Sequence, residues 1–122
     1  MKYLLDSVIV IDHLNGIADA TGFLRTHAHL SVVSVITRAE VLAGVSDKQE
    51  QAVTRLLNQF RTLPMTAQVA DRAAALRRSE RWKLSDAVQT AIAMESGLVL
   101  VTRNTRDFQP GGLPEVLIPY QL

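Results

Sequence analysis

Short apolar runs alternate with longer amphipathic stretches along nearly the whole chain, and this alternation limits the possible folds more than any other feature. The clearest run, residues 98–102, is hydrophobic on both faces, as a strand inside a parallel sheet must be. Parallel strands need crossover connections, and the helical stretches between the runs can provide them. The sequence therefore predicts an α/β protein, a three-layer α/β/α sandwich with a mostly parallel sheet of four or five strands.

The predicted strands are short, and the predicted helices carry apolar residues at helical spacing. The strands are residues 3–5, 29–35, 63–65, 98–102 and 116–120. The helices are residues 8–14, 18–26, 36–45, 46–63, 66–82 and 85–96. Pro64 cannot donate a ladder hydrogen bond, so the third strand is expected at an edge of the sheet.

Composition narrows the class of protein. The chain has 122 residues, no cysteine, and a net charge of +1 from 13 basic and 12 acidic residues. Its even hydrophobic pattern predicts a single domain spanning residues 1–122. The lack of cysteine excludes disulfides, thiolate metal sites and a cysteine nucleophile, and fits a reducing compartment. Asp6 and Asp12 interrupt the apolar N-terminal run, which argues against a signal peptide, so a cytoplasmic protein is expected.

Four acids stand where predicted strands or helices begin or end. They are Asp6, Glu40, Asp86 and Asp107. A parallel sheet binds ligands beyond the carboxyl ends of its strands, so this fold would bring the four carboxylates to one edge. Carboxylates held together repel one another unless a cation is present, and oxygen ligands suit Mg²⁺ or Mn²⁺. The pattern predicts a divalent metal site that hydrolyses a phosphodiester by neutralising charge on the phosphate oxygens.

Each acid also has an ordinary structural explanation. Glu40 follows Thr37 at the spacing of a capping box. Asp86 stands at a helix start, where the dipole favours a carboxylate by about 0.3–1 kcal/mol. Asp6 could cap the first helix, and Asp107 could organise a turn. Four independent caps have no reason to converge on one edge, so only their joint placement favours the metal site.

Short motifs surround the four acids. They are Leu4-Leu5-Asp6-Ser7, Thr37-Arg38-Ala39-Glu40-Val41-Leu42-Ala43-Gly44, Leu84-Ser85-Asp86-Ala87, and Leu100-Val101-Thr102-Arg103-Asn104 with Asp107-Phe108. In this order and at this chain length they resemble the PIN-domain family, and within it the VapC-type toxins of bacterial toxin–antitoxin pairs. The resemblance implies a PIN-like fold and a Mg²⁺-dependent endoribonuclease that cuts structured RNA, such as transfer or ribosomal RNA, to inhibit translation. It also implies a homodimer that a cognate antitoxin holds inactive.

The resemblance assigns the metal-binding and catalytic roles to the four acids, Asp6, Glu40, Asp86 and Asp107, and supporting roles to Ser7, Thr102 and Asn104. The chain departs from the family at two places. Val8 stands where asparagine or serine is usual, which removes one hydrogen bond beside the metal. Arg81-Trp82-Lys83 stands where glycine is frequent, which alters the loop beside the substrate.

Basic residues near the last two acids offer an RNA contact surface. They are Arg77, Arg78, Arg81, Lys83, Arg103 and Arg106. Such side chains could contact phosphates without reading sequence, and Trp82 could stack on an unpaired base. In the ordinary alternative the arginines form a solvated helix face and Trp82 belongs to the core or to a subunit interface. His13, His27 and His29 lack metal-ligand spacing and are expected to be structural, and Asp12 is expected to point outward from the first helix.

Two other functions remain open at this point. One is a PIN-fold binding module that acts mainly in a DNA-bound toxin–antitoxin complex with weak or lost nuclease activity, and Val8 is its best support. The other is a nuclease that acts on DNA or in ribosomal-RNA processing. A one-sided basic patch serves either polymer, so composition does not separate them.

Overall fold

The computed structural model of the protein describes residues 1–106, 108 and 114–122. Its strands are β1 (Tyr3–Leu5), β2 (Ser31–Ser34), β3 (Thr62–Leu63), β4 (Val99–Val101) and β5 (Val116–Leu117). They form one sheet in the order β3-β2-β1-β4-β5, and all neighbouring pairs are parallel. The predicted α/β class and five-stranded parallel sheet are confirmed.

Helices fill the three connections that lead from β1 to β4. They are α1 (Ser7–Leu14), α2 (Ala18–His27), α3 (Val35–Ala43), α4 (Asp47–Leu57), α5 (Ala67–Glu80) and α6 (Leu84–Ser96). Several ends follow the expected capping chemistry: Thr66 caps α5 by accepting a hydrogen bond from the Val69 amide, and Gly97 ends α6 at a φ of 65°. Within the described parts of the chain, no helix has both the length and the hydrophobicity needed to cross a bilayer.

The alternation of side chains along β1 divides the core between the two faces of the sheet. Leu4 packs with residues of α5 and α6, such as Val69 and Ile92. Its neighbours Tyr3 and Leu5 point to the opposite face and pack with residues of α1 and α2. Helices therefore cover both faces, which confirms the three-layer sandwich. Each fully buried aliphatic side chain contributes about 1.5–3 kcal/mol to this packing.

Several predicted boundaries are wrong, including the end of the last strand, which stops at Leu117 instead of residue 120. The strand predicted over residues 29–35 is shorter, because Ala28–Leu30 forms a 3₁₀ turn and Val35 already begins α3. The strand ends early because of Ser34. Its hydroxyl accepts a hydrogen bond from the Thr37 amide at 3.0 Å and so caps the start of α3. The helix predicted over residues 46–63 stops at Leu57, and the chain then turns to bury Phe60 and form β3.

The strand order reverses beside β1. From β1 the chain moves to β2 and β3 on one side, and β4 and β5 lie on the other. In open α/β sheets the crevice beyond the carboxyl ends of the strands at such a point is the usual ligand site. Asp6 directly follows β1 and Thr102 directly follows β4, so both residues lie at this crevice.

Candidate active site

Asp6 is held by three parts of the fold. It is the N-cap of α1, and its Oδ1 atom accepts hydrogen bonds from the Ser7 amide at 2.9 Å and from Gln89 Nε2 at 3.4 Å. Its Oδ2 atom accepts a hydrogen bond from Thr102 Oγ1 at 2.7 Å. The expected cap is therefore real, and the same carboxylate also faces the crevice between β1 and β4. Capping and ligand binding do not exclude each other at this residue.

Glu40 and Asp6 both accept hydrogen bonds from the same residue, Ser7. The Ser7 hydroxyl donates a hydrogen bond to Glu40 Oε1 at 3.1 Å, while its amide donates to Asp6. Glu40 is the sixth residue of α3, and the N-cap of that helix is Ser34. The capping-box explanation of Glu40 is therefore wrong, because Thr37 lies inside the helix. Glu40 is exposed, so its carboxylate can reach a ligand.

Asp86 occupies the first turn of α6, whose N-cap Lys83 makes no side-chain cap bond. Gln89, three residues later, contacts Asp6, so Asp86 lies on the side of α6 that faces the crevice. The dipole of α6 favours a carboxylate in this first turn whether or not it binds a ligand. Asp107 lies outside the described residues. Among those described, no three His, Cys, Asp or Glu side chains lie close enough together to hold one metal ion.

A buried hydrogen-bond network around the Gln89 side chain, which the sequence analysis did not predict, supports Asp6 from the interior of the protein. Gln89 is only 2% exposed. Its Nε2 atom donates to Thr37 Oγ1 at 2.7 Å as well as to Asp6, and its Oε1 atom accepts the hydroxyl of Ser34. Thr37 in turn donates to the Leu5 carbonyl at 2.8 Å. Every donor in this chain of contacts has an acceptor, so the network joins β1, β2 and α6 without an unsatisfied polar group.

Thr102 and Asn104, which the sequence analysis expects to be supporting residues, make side-chain hydrogen bonds at the carboxyl end of β4. Thr102 is fully buried, and while its hydroxyl donates to Asp6 it also accepts the Asn104 amide at 3.1 Å. The Asn104 side chain accepts the Arg106 amide at 3.2 Å. These two side-chain to backbone bonds give residues 102–106 a defined turn directly above the sheet edge.

Asp12 does not point outward, as the sequence analysis expected, but is buried in a second polar cluster. Its carboxylate accepts hydrogen bonds from Arg103 Nε at 2.7 Å, from Arg103 Nη2 at 2.9 Å and from the Tyr120 hydroxyl at 2.8 Å. The hydrogen bonds from Arg103 hold the pKa of Asp12 below its usual value despite burial. The expectation failed because the compensating charge comes from a loop distant in sequence.

The predicted RNA-contact residues have varied surroundings. Arg77 donates to the Trp82 carbonyl at 2.7 Å, and Arg81 ends α5 in the left-handed conformation at a φ of 61°. Arg103 is engaged with Asp12. The remaining ones, Arg78, Lys83 and Arg106, are exposed. Contact of these side chains with RNA stays a prediction.

Trp82 and two of the histidines, His13 and His27, have structural contacts, whereas His29 is exposed and its structural role stays a prediction. Trp82 is half-buried against the core, with its ring centre 5.3 Å from that of Phe108. This packing agrees with the ordinary alternative for the tryptophan. His27 stacks on Phe23 at 4.2 Å, and His13 Nδ1 lies 2.7 Å from Thr21 Oγ1.

Known proteins share this fold and sequence pattern. The family model of the PIN domain matches residues 3–110. Ribonuclease VapC10 of Mycobacterium tuberculosis is 32% identical over 109 residues, which cover 87% of this chain and 77% of that protein. The solved structure of a toxin–antitoxin complex from Klebsiella pneumoniae has a TM-score of 0.91 and 35% identity, covering 99% of this chain and 100% of that one. A DNA-bound VapBC structure from Salmonella typhimurium shares the fold, with a TM-score of 0.81, 20% identity, and coverage of 96% of this chain and 97% of that one.

Proposed function

The chain belongs to the PIN domain family, and on this basis we propose that it is a metal-dependent endoribonuclease toxin that a cognate antitoxin neutralises. One relative is named a ribonuclease, and a structural relative at 35% identity is a toxin–antitoxin complex. The observation that carries the proposal is the fixed position of Asp6 at the point where the strand order reverses, with Glu40 joined to it through Ser7.

The residues at the crevice fit a divalent cation. The carboxylates of Asp6 and Glu40 offer oxygen ligands, which suit a hard cation such as Mg²⁺ or Mn²⁺. Mg²⁺ is usually held by one or two direct carboxylates together with waters and substrate phosphate. We propose Asp6 and Glu40 as direct ligands, with Asp86 and Asp107 completing the catalytic set. When bound, the cation stabilises the negative charge that develops on the phosphate during hydrolysis.

Other residues of the chain would orient the metal ligands and the RNA substrate. Thr102 and Gln89 fix both oxygens of Asp6, so the carboxylate does not need to reorganise when a ligand arrives. Ser7 fixes Glu40 in the same way. The exposed basic residues Arg78, Lys83 and Arg106 would contact the RNA backbone, which positions the substrate without reading its sequence. Transfer RNA or ribosomal RNA is the expected substrate, and a homodimer of single-domain chains is the expected assembly.

The test is the sequencing of RNA 5′ ends after total cellular RNA is incubated with the antitoxin-free protein. Discrete new ends should appear with Mg²⁺ and disappear with a chelator, with the antitoxin, or in the Asp6→Asn variant. Asp19→Asn is the matched control, because Asp19 is an exposed carboxylate in the first turn of α2. An unchanged RNA map from folded, metal-binding protein would overturn the proposal.

Val8 favours a second candidate, a PIN-fold binding module that acts mainly in a DNA-bound toxin–antitoxin complex. In the structure Val8 packs against the apolar cluster on the α1 side of the sheet, so it adds no polar group to the site. Under this alternative the Asp6→Asn variant would repress its own promoter with the antitoxin as well as the wild type does, and neither protein would produce new RNA ends. A nuclease that cuts DNA instead of RNA would produce new DNA ends when the same experiment is done with genomic DNA.

A further inference from the structure

Two adjacent residues of the turn after β4 are held by two acids of the first helix. Thr102 donates to Asp6, the N-cap of α1, at 2.7 Å. Arg103 donates twice to Asp12, at 2.7 and 2.9 Å. Asp6 and Asp12 are six residues apart, which corresponds to about 9 Å along a helix, so the two contacts hold the turn at well-separated points. A single contact would leave the turn free to pivot, whereas two fix its direction.

The second of these contacts belongs to a polar cluster around the buried Asp12 carboxylate, in which the Arg103 side chain is partly exposed. Asp12 is 5% exposed, and Tyr120 beyond β5 donates a third hydrogen bond to it at 2.8 Å. A buried ion pair gives little net stability, because desolvating the charges costs about as much as their attraction returns. Net stability therefore does not account for the pair. What the pair does determine is geometry, because a bidentate guanidinium and carboxylate accept only one relative orientation.

We propose that Asp12 is a positioning residue which, through Arg103, directs the Thr102 hydroxyl to Asp6. Arg103 lies between Thr102 and Asn104 in the chain, and the Asn104 amide also bonds to Thr102 Oγ1 at 3.1 Å. Holding the Arg103 side chain therefore holds the backbone on both sides of it. The proposal rests on the proposed function for its catalytic consequence, but its structural consequence exists in the metal-free protein.

The geometry also gives Arg103 a role different from RNA contact. Its Nε and Nη2 atoms bond to Asp12, so its positive charge is already balanced. If Arg103 served mainly to bind a phosphate, then Asp12→Asn would release it and RNA binding would tighten. If Asp12 and Arg103 position the turn, then Asp12→Asn and Arg103→Met must have the same effect.

The experiment compares Asp12→Asn with Glu95→Gln. Glu95 forms the matched ion pair with Arg72 at 2.5 Å, near the opposite end of α6 from Asp86, so its variant loses an arginine–carboxylate pair away from the site. Hydrogen exchange of the Asn104 and Arg106 amides is followed in metal-free protein. The Mn²⁺ dissociation constant is measured for each folded variant, followed by kcat and KM for the RNA fragment that the wild type cuts.

Asp12→Asn should speed exchange of both amides and raise the Mn²⁺ dissociation constant about tenfold, the lower end of the effect of removing an outer support of a metal ligand. kcat should fall while KM stays unchanged, and Glu95→Gln should match the wild type in all of these. Unchanged exchange and Mn²⁺ affinity in Asp12→Asn would overturn the proposal, even if its thermal stability fell. An increase of KM with a reduced salt dependence in Arg103→Met alone would instead assign Arg103 to phosphate contact.

The two proposals fail in distinguishable ways. If wild-type protein cuts no RNA, the proposed function fails, but the exchange and Mn²⁺ measurements still decide whether Asp12 positions the turn. If wild-type protein cuts RNA and Asp12→Asn does so equally well with unchanged metal affinity, only the positioning role fails.

Discussion

Thr102 Oγ1 donates a hydrogen bond to Asp6 Oδ2 at 2.7 Å and thereby joins the carboxyl ends of β4 and β1. The two residues are distant in sequence, but β1 and β4 are neighbours in the sheet. The Asp6 amide reinforces this junction by donating to the Val101 carbonyl at 2.9 Å. The sheet therefore positions the central acid of the candidate site directly.

Removal of the Thr102 hydroxyl should weaken both folding and metal binding. Thr102→Val keeps the shape but leaves Asp6 and the Asn104 amide each without one partner, which should cost about 1–3 kcal/mol of unfolding free energy. Mn²⁺ affinity should fall about 10- to 100-fold. Thr102→Ser keeps the hydroxyl and should lose only about 1 kcal/mol for the methyl group. Urea denaturation and Mn²⁺ titration provide the measurements, and equal Mn²⁺ affinity in the two variants would contradict the role of the hydroxyl.

Gln89→Glu should make stability depend on pH. The new carboxylate would lie buried beside Asp6, so burial and the like charge should raise its pKa above that of the unfolded chain. A raised pKa in the folded state means that stability is highest at low pH and is lost as pH rises through the folded value. The stability gap to wild type should therefore widen from pH 5 to pH 8.

Gln89→Leu is the control for this titration. It removes the same hydrogen bonds to Thr37 and Asp6 without adding a charge, so its gap to wild type should be constant over the same range. Denaturant unfolding at several pH values measures both gaps. A Glu variant whose gap does not change with pH would show that the position is open to solvent.

Sequence patterns predicted the sheet because its signals are local. The apolar run at Tyr3–Leu5 predicts a strand, and the structure confirms it as a strand buried on both faces. The end of β2 was misplaced because a single serine decides it: Ser34 caps α3 and stops the strand inside a run of β-branched residues. Capping by one side chain competes with the strand preference of the whole run. A prediction from sequence patterns gives more weight to the run than to the single cap.

The candidate site was predicted in part. Asp6 and Glu40 stand in recognisable motifs, and the structure joins them through Ser7, while their roles in metal binding and catalysis stay predictions. The sequence analysis did not predict the role of Gln89, although a glutamine in the mostly apolar stretch of residues 87–93, where Thr90 is the other polar residue, is a signal for a buried network. Asp12 was misread because its partner Arg103 lies 91 positions away, and no local pattern records such a contact.

Thr90 offers a route to a more stable protein. Its Oγ1 atom is buried and has no hydrogen-bond partner among the described residues. Thr90→Val replaces the hydroxyl with a methyl of similar size, so it should raise the unfolding free energy by about 1 kcal/mol. Thr90→Ser keeps the hydroxyl and loses a methyl, so it should lower that free energy by about 1 kcal/mol. Thermal and urea unfolding test both, and a destabilised Val variant would indicate that a buried water satisfies the hydroxyl.

Tyr120 should make the protein sensitive to alkaline pH. Burial and the hydrogen bond to Asp12 raise the pKa of the Tyr120 phenol. The contribution of Tyr120 to stability is therefore complete below the unfolded pKa of about 10 and is lost as pH rises toward the folded pKa.

Tyr120→Phe should be less stable than wild type by about 0.5–1.5 kcal/mol at pH 8, because it lacks the bond to Asp12. Above about pH 10 the wild-type stability should fall more steeply and the gap should close. Urea unfolding between pH 7 and pH 11 measures the two curves, and curves that stay parallel throughout would mean that Tyr120 titrates as it does in the unfolded chain.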